Sequence, residues 1–343
     1  MTVRVGVVGL GMMGTTHFKG YRVIEEAKLV ALCDVQAQRL QGDFSGTAGN
    51  IDTGTTERED VSDLKPYDDF EKLVADPDVD LIDICLPTYQ HEEKAVQALQ
   101  AGKHVFCEKP MAMDYQQACR MIETANQAGK MLMVGQCLRF WPEYVMLKEI
   151  IDSGRYGRPK SAVLRRLGAA PSWSWENWLL QTDRSGGCAL DLHIHDVDTV
   201  NWFFGKPAGV CSHGTRLKDG GIGHILTCYR YDDGPVVFAD GSWEFHGAYP
   251  FSMSAVVVFE TATVDYHSSA QPTMTIYHAD GSTETPEIPA GDAYTDELRY
   301  FVQCIEKGTA PDRVPNDSAA LAVGITLAEI ESVNTGQPVP INL

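Results

Sequence analysis

A run of β-branched residues that leads straight into three closely spaced glycines constrains the fold of this chain more than any other stretch. Val3–Val8 has the composition of a buried parallel strand, and Gly9, Gly11 and Gly14 follow it in the spacing G-x-G-x-x-G. The glycine spacing alone is a weak signal, because an ordinary glycine turn can have it. Placed between a strand and a helix-compatible segment, it predicts a dinucleotide-binding βαβ unit.

The position of one acidic residue strengthens this prediction. A second apolar strand, Lys28–Cys33, ends in Asp34, twenty positions after Gly14, where the acid that binds the adenosine ribose 2′-hydroxyl is expected. A carboxylate there repels a 2′-phosphate, and no basic residue follows before Arg39, so the sequence favours NAD over NADP. The residues predicted to bind this part of the cofactor are Gly9, Gly11, Met12, Met13, Gly14 and Asp34.

Length and charge set the class of protein. With 343 residues the chain is too long for one ordinary core, so we expect two domains. A net charge of −19 is the opposite of the basic surface that nucleic-acid binding requires. The sequence has no apolar run of membrane-spanning length and no secretory signal pattern, so we expect a cytoplasmic protein without membrane or nucleic-acid partners. The nine cysteines follow no C-x-x-C spacing and are expected to be reduced thiols.

Strand and helix patterns alternate up to residue 135. The polar segment Gln41–Lys65, rich in Gly, Thr and Asp, is predicted as a surface insertion. Beyond it we predict, in order, a helix over Tyr67–Val74, a strand over Val79–Leu86, helices over Glu92–Ala101 and Met113–Ala128, and a strand over Met131–Gly135. This alternation predicts an α/β fold in which residues 1–135 form a Rossmann-type, doubly wound parallel sheet that binds NAD.

A lysine stands at the exit of one further strand. Val105–Cys107 has the pattern of a buried strand, and Glu108, Lys109 and Pro110 follow it. Ligands of parallel sheets bind beyond the carboxyl ends of the strands, so Lys109 stands where a cofactor and a substrate could meet. The alternative interpretation is an ordinary solvated surface lysine.

The second half of the chain has a different pattern. After a predicted helix over Glu143–Ser153, alternating or apolar runs are separated by tight turns such as Asp233-Gly234. Strands joined in this way predict a mostly antiparallel sheet, here within an α+β domain that covers residues 136–343. The predicted strands are Lys160–Leu167, Ile225–Tyr231, Val236–Phe245, Ser254–Phe259 and Thr273–His278; closing helices are predicted from Tyr294 to Gly308 and over Ala319–Ser332.

Three motifs together are similar to those of the glucose–fructose oxidoreductase, inositol dehydrogenase and rhizopine-catabolism (Gfo/Idh/MocA) family. They are the glycine segment Val8–Gly14, the Leu86–His91 turn, and the Gly102–Pro110 segment with its Glu-Lys-Pro element. The resemblance covers essentially the whole chain. It implies that Leu86, Pro87, Thr88, His91, Glu108 and Lys109 also bind the cofactor, although the family usually has Asn in place of Thr88. It also implies a cis peptide bond before Pro110, where trans is the default from sequence alone.

The resemblance maps Asp191 and His195 onto the family's Asp-x-x-x-His catalytic pair. On a helix the two side chains share a face, whereas His193 points elsewhere and its role stays open. A histidine can remove the hydroxyl proton as hydride leaves a secondary alcohol, and a carboxylate can orient that histidine. Lys109 would stabilise the alkoxide. The alternative is a metal site, but the His193-x-His195 spacing suits a ligand pair only on a strand or loop, and we predict no metal.

Substrate contacts follow less directly. The resemblance implies that the substrate is contacted by the three catalytic residues and by Arg139, Trp175, Trp178 and Tyr294. For the tryptophans, the alternative is simple packing of a loop. Adjacent Arg165 and Arg166 lie on a predicted strand and should face opposite ways, so one of them could bind a carboxylated sugar, with a solvated edge as the alternative.

Family members use the second sheet as an oligomer interface, which implies a homodimer or homotetramer.

The sequence therefore predicts an NAD-dependent dehydrogenase that acts on a secondary hydroxyl of a sugar, a sugar derivative or a cyclitol. Two other classes stay open. One is a sugar- or nucleotide-sensing regulator without catalysis. The other is a glycosidase or lyase that retains NAD and oxidises its substrate only transiently.

Overall fold

A computed structural model describes residues 2–49 and 57–343 of the chain. It divides into two compact units, one drawn from Met1–Cys137, Ser172–Leu179 and Asp292–Ala320, the other from Leu138–Pro171, Leu180–Gly291 and Leu321–Leu343. The helices are α1 (Met12–Val23), α2 (Phe70–Val74), α3 (His91–Gln100), α4 (Tyr115–Ala128), α5 (Pro142–Ser153), α6 (Thr182–Ser185), α7 (Ile194–Phe204), α8 (Ala293–Lys307) and α9 (Asn316–Thr335).

The first unit is built on a parallel sheet. Its strands are β1 (Val3–Val8), β2 (Ala27–Cys33), β3 (Lys65–Tyr67), β4 (Leu81–Ile84), β5 (His104–Glu108) and β6 (Leu132–Gly135). They lie in the order β3-β2-β1-β4-β5-β6, and every neighbouring pair is parallel. The chain reverses its direction of winding between β1 and β4, the position at which nucleotide ligands bind in such sheets. The predicted Rossmann-type fold is confirmed.

Two details of this unit differ from the predictions. The helix predicted over Tyr67–Val74 is wrong at its start, because Tyr67 belongs to the edge strand β3 and the helix begins only after Asp69. The Asp69 carboxylate accepts the backbone N–H groups of Glu71 at 2.8 Å and Lys72 at 3.2 Å, which fixes that start.

The predicted insertion Gln41–Lys65 is only partly a surface segment. Within it, Phe44 is buried and its ring packs edge-on against Phe18 at 5.3 Å. Residues 50–56 of the insertion lie outside the described residues. Its far end is held by Arg22, which binds the Asp63 carboxylate through two hydrogen bonds of 2.8 Å.

The second unit is built on a wide, mostly antiparallel sheet, as predicted. Its strands are β7 (Ser161–Leu167), β8 (Gly209–Arg216), β9 (Ile222–Arg230), β10 (Val236–Ser242), β11 (Ser252–Val258), β12 (Ala262–His267), β13 (Met274–His278), β14 (Thr283–Glu284) and β15 (Val339–Pro340). They lie in the order β14-β13-β12-β11-β7-β10-β9-β8-β15, and only β7 and β10 pair in parallel among the described residues. Alternate residues of β7, β9 and β11 are buried, so one face of the sheet forms the core.

Candidate active site

The glycine turn of the first unit has the geometry of a phosphate cradle. Gly9 has φ of +83°, and a Cβ there would lie 2.5 Å from the Cys85 carbonyl oxygen; a Cβ at Gly14 would collide with the Gly9 carbonyl. A Cβ at Gly11 would meet nothing within 4 Å. The backbone is therefore closely packed at Gly9 and Gly14 and open at Gly11, where α1 begins. Because Gly11 has no side chain, the first N–H groups of that helix are not capped by it. This arrangement fits a dinucleotide pyrophosphate.

Asp34 borders this turn at the end of β2. Its Oδ2 accepts the Leu10 N–H at 2.7 Å, and its Oδ1 accepts the Gln36 N–H at 2.7 Å. The carboxylate is half-buried and held at the rim of the glycine turn. A ribose 2′-hydroxyl could donate to it there, whereas a 2′-phosphate would meet like charge.

The turn after β4 and the segment after β5 are joined by one buried histidine. Nδ1 of His91 lies 2.8 Å from the Pro110 carbonyl oxygen, and Nε2 lies 2.8 Å from the Leu86 carbonyl oxygen. Burial lowers the pKa of His91, while its contacts with the two carbonyl groups act in the opposite direction. Both nitrogens face carbonyl groups of the chain, so His91 holds the two segments together. Pro87 and Thr88, which begin a short 3₁₀ turn between β4 and α3, are buried.

Glu108 and Lys109 stand at the exit of β5. The Glu108 carboxylate is only 6% exposed, and its Oε2 accepts the N–H of Lys109 at 3.2 Å. The side chain of Lys109 is half-buried, and the Lys109–Pro110 peptide bond is cis, as the resemblance implies. Lys109 is thus presented at the strand end rather than among the exposed surface lysines.

In the second unit, the Asp-x-x-x-His pair lies on a π-helical turn, which contains Asp191, and on the start of the next helix, which contains His195. The turn covers Ala189–His193 and passes directly into α7. Within residues 187–200 only Asp191 and His195 are not buried. Two functional groups are therefore presented from a segment that is otherwise part of the core, and single π turns occur frequently at functional sites.

The neighbours of this pair have other partners. His193 is fully buried, with its Nε2 3.4 Å from Oε2 of Glu329 on α9. Burial lowers the pKa of His193, but the charges of Glu329, Asp196 and Asp240 outweigh it, and the pKa is raised overall. Gly241 lies so close that a Cβ there would be 2.7 Å from Nδ1 of His193. His193 is thus a core residue on the side of the turn away from Asp191 and His195.

Three arginines of the second unit were candidates for binding substrate. Arg139, 3% exposed, donates to Asp198 at 2.9 and 2.7 Å, which places it in a buried ion pair. Arg166 is also buried and donates to Asp196 at 3.0 and 3.2 Å, while Arg165 lies 3.5 Å from Asp240 on the exposed side. The prediction that adjacent arginines face opposite ways is confirmed.

The aromatic candidates belong to the first unit. Trp175 is 44% exposed, and Trp178 and Tyr294 are half-buried. Between the tryptophans, Glu176 and Asn177 have φ of 51° and 52°, a left-handed conformation that non-glycine residues rarely adopt. Such backbone conformations occur preferentially at functional loops.

Sequence reasoning missed a cluster of ionisable groups behind the glycine turn, all of them buried except the half-buried Cys85. Its members come from α1, β4, the ends of β4 and β5, and α8: His17, Tyr21, Asp83, Cys85, Glu108 and Glu297. The signal that could have found part of it is His17, three residues after Gly14 in the first turns of α1. Glu297 gives no such signal, because more than half of the chain separates it from the other members.

Comparison with known proteins gives a consistent result. Residues 3–136 match the model of an oxidoreductase family with an NAD-binding Rossmann fold (GFO_IDH_MocA), and residues 144–283 match the GFO/IDH/MocA C-terminal domain. The chain is 28% identical to myo-inositol 2-dehydrogenase of Thermotoga maritima over 321 residues, which is 90% of each protein. It is 27% identical to scyllo-inositol 2-dehydrogenase (NAD(+)) of Bacillus subtilis, covering 99% of this chain and 97% of that protein.

Solved structures share the fold along the full chain. A probable dehydrogenase from Thermotoga maritima superposes with a TM-score of 0.80 at 26% identity and covers 99% of each chain. Levoglucosan dehydrogenase, solved with NADH and levoglucosan, has a TM-score of 0.84 at 19% identity and covers 100% of each chain. In the part of this chain that is described, no helix combines the length and the apolar composition needed to cross a membrane.

Proposed function

Because the chain belongs to the Gfo/Idh/MocA family of NAD-dependent oxidoreductases, we propose that it oxidises a secondary hydroxyl of a sugar, a sugar derivative or a cyclitol. The observation that carries the proposal is that, within residues 187–200, Asp191 and His195 alone are half-buried rather than buried. The neighbouring polar residues Asp196 and Asp198 are buried in ion pairs with arginines, whereas these two side chains reach the surface of the unit.

Each catalytic residue has a distinct role in the proposal. His195 takes the hydroxyl proton as the C–H bond breaks, and it returns that proton in the reverse direction. The carboxylate of Asp191 orients the imidazole and stabilises its protonated form. The ammonium group of Lys109 stabilises the alkoxide, or polarises the ketone in reverse. NAD, when bound, accepts the hydride at its nicotinamide ring.

The first unit supplies the cofactor contacts in this proposal. The open backbone at Gly11 and the N-terminus of α1 would bind the pyrophosphate, with Met12 and Met13 in the first turn. The rim carboxylate of Asp34 would bind the adenosine ribose. Leu86, Pro87, Thr88 and Lys109 would line the nicotinamide end, supported by His91 and Glu108.

The substrate class is supported by the names of the relatives. Two of them are inositol 2-dehydrogenases that match nearly the full length of this chain. A polyhydroxylated ring offers flat C–H faces to aromatic side chains and hydroxyls to polar groups. Trp175, Trp178 and Tyr294 are the aromatic groups proposed for such contacts, and Arg139 would support the site through its ion pair with Asp198.

The test is NADH formation by the purified protein with inositols, other cyclitols, sugars and sugar acids, with NADP in parallel. We expect turnover with NAD on at least one secondary alcohol. His195→Asn and Lys109→Met should lower kcat/KM by about a hundredfold or more. The matched control is Lys72→Met, which removes an exposed ammonium group on α2 and should leave kcat/KM unchanged. Tight NAD binding without any turnover would instead favour the regulator or the enzyme with retained NAD.

We also propose that the second sheet mediates self-association. Its outer face exposes Val163, Leu226, Phe238 and Tyr277 by 38% to 48%. Phe238 pairs with Val163 across β10 and β7, so the two side chains lie side by side on this face. Exposed apolar side chains on a sheet face favour a cover, and a second copy of the sheet would supply one. Phe238→Glu should convert the oligomer to a monomer in sedimentation equilibrium, and an unchanged mass would refute the proposal.

A further inference from the structure

The cluster behind the glycine turn is centred on one fully buried imidazole. Nδ1 of His17 lies 2.9 Å from Oδ2 of Asp83, and Nε2 lies 3.1 Å from Oε1 of Glu108. The Phe106 ring packs against the imidazole in a T-shaped arrangement, with the two ring centroids 5.4 Å apart. His17 thus bridges a carboxylate on β4 and a carboxylate at the end of β5. The three side chains are almost completely shielded from solvent.

The bridge reaches the catalytic segment through a single residue. One oxygen of the Glu108 carboxylate faces His17, and the other accepts the backbone N–H of Lys109 at 3.2 Å. We propose that His17 is a positioning residue: its ring fixes the Glu108 carboxylate, and that carboxylate fixes the backbone from which Lys109 extends. The proposal rests on the function proposed above for Lys109.

The negative groups around His17 favour the protonated form of its ring. Burial lowers the pKa of His17, but Asp83 and Cys85 outweigh it, and the pKa is raised well above its ordinary value. As an imidazolium, His17 donates a hydrogen bond from Nδ1 to Asp83, and its Nε2 makes an ion-pair contact of 3.1 Å with the Glu108 carboxylate. A neutral ring would leave one buried carboxylate oxygen facing a nitrogen lone pair, which is unfavourable in a dry environment.

The other groups that face the ring are uncharged in this arrangement. Burial raises the pKa of the Cys85 thiol, which lies 3.2 Å from Nδ1 of His17. Burial and the Glu108 charge raise the pKa of Glu297 on α8 well above its ordinary value, and burial raises that of the Tyr21 hydroxyl. The cluster then holds one imidazolium, two carboxylates and neutral Glu297, Cys85 and Tyr21.

A metal ion is a less suitable occupant, although two sets of these ligands lie close enough to hold one: His17, Asp83 and Cys85, or His17, Glu108 and Glu297. Both sets need a lone pair on His17, but Nδ1 is hydrogen-bonded to Asp83 and Nε2 makes an ion-pair contact of 3.1 Å with Glu108. A protonated imidazole cannot ligate a metal. Metal analysis of the purified protein is therefore part of the test.

The first measurement uses the wild-type protein labelled with nitrogen-15 histidine, and His17→Gln assigns the signals. We expect both ring nitrogens of His17 to stay protonated well above the pH at which an ordinary histidine loses its proton. Deprotonation near neutral pH, or one equivalent of zinc that a chelator removes, would overturn the proposal. This measurement needs neither NADH nor a substrate, so it is independent of the proposed function.

The second measurement compares Asp83→Asn with wild type by NADH fluorescence from about pH 6 to about pH 9. Asn keeps the shape and one acceptor but removes the charge that holds the proton on His17. We expect NADH affinity of the variant to fall about tenfold as pH rises, while wild type stays flat. The matched control is Asp80→Asn, whose carboxylate binds Arg4 at 2.8 Å at the start of β4 and whose profile should stay flat.

The outcomes separate the two proposals. A purely structural role of the cluster would lower the unfolding midpoint of Asp83→Asn and leave its NADH profile flat, which refutes the positioning role. If NADH binds but no alcohol is oxidised, the dehydrogenase proposal fails while the pH profile still decides the role of His17. If Asp83→Asn does not fold, the nitrogen-15 measurement on wild type decides.

Discussion

Glu297→Gln tests whether a glutamic acid on α8 is protonated in the folded protein. Its side chain is fully buried, and both carboxylate oxygens lack a hydrogen-bond partner among the described residues. Burial raises its pKa most, the charges of Glu108 and Asp83 add to this, and His17 acts in the opposite direction. The pKa is raised well above the ordinary value of 4.5, so we expect a neutral carboxyl group at pH 6.

The sign of the pH dependence follows from proton counting. Above pH 4.5 the unfolded chain loses this proton and the folded chain keeps it, so the folded state binds one proton more. Wild type therefore loses stability as pH rises towards the folded pKa, by about 1.4 kcal/mol per pH unit from this group. Gln cannot ionise in either state. From about pH 5 to about pH 6, the variant should gain about 1.4 kcal/mol relative to wild type.

The assay is urea unfolding at several pH values, read by hydrogen exchange of peptides from β1 and β5, so that the first unit is followed by itself. Glu306→Gln is the matched control, since it makes the same change at an exposed position of the same helix. The control difference should be nearly independent of pH. A constant difference for Glu297→Gln as well would mean that Glu297 is ionised when folded, and our account of the cluster would be wrong.

Three further predictions concern residues outside this cluster. Asp34→Asn should raise KM for NAD about tenfold with little change in kcat. The ratio of kcat/KM for NADP to kcat/KM for NAD should therefore rise, and an unchanged ratio would contradict the ribose contact. Arg139→Leu should lower the free energy of unfolding by about 3–5 kcal/mol, because it leaves Asp198 buried and unpaired, and adding Asp198→Leu should recover most of the loss. His193→Gln should lower the free energy of unfolding by about 1–3 kcal/mol without changing NAD affinity, and a changed affinity would point to a role beyond the core.

The parallel half of the fold could be predicted because its signals are local. Each buried strand is a short apolar run, and glycines such as Gly102 and Gly129 mark where the neighbouring segments turn. The edge strand β3 was missed, because it is three residues long and contains Pro66, which a central strand would not tolerate. The strands β8, β14 and β15 were missed because β14 and β15 have two residues each, and β8 is largely polar, exposed and glycine-containing. The strand β12 was also missed, although its buried residues alternate along the sequence and could have indicated it.

The catalytic candidates could also be found from sequence, but their surroundings could not. Lys109 follows a recognisable strand, and Asp191 and His195 have the spacing of one helix face. The partners that shape those positions come from distant parts of the chain. Glu297 completes the cluster around His17, and Glu329 faces His193 from α9. No window of sequence contains both members of either pair.

His193 shows why spacing alone misleads at such a site. In the sequence it stands between the two proposed catalytic residues, and the letters His-x-His also suggest a metal pair. In the structure the π turn directs it into the core, where the absent Cβ of Gly241 leaves room for its ring and Glu329 supplies an opposite charge. Asp191 on the same turn and His195 at the start of α7 are half-buried. A buried ion pair behind the turn and a half-buried pair in front of it are thus two consequences of one local geometry, and separating them requires knowing which side of the turn the core occupies.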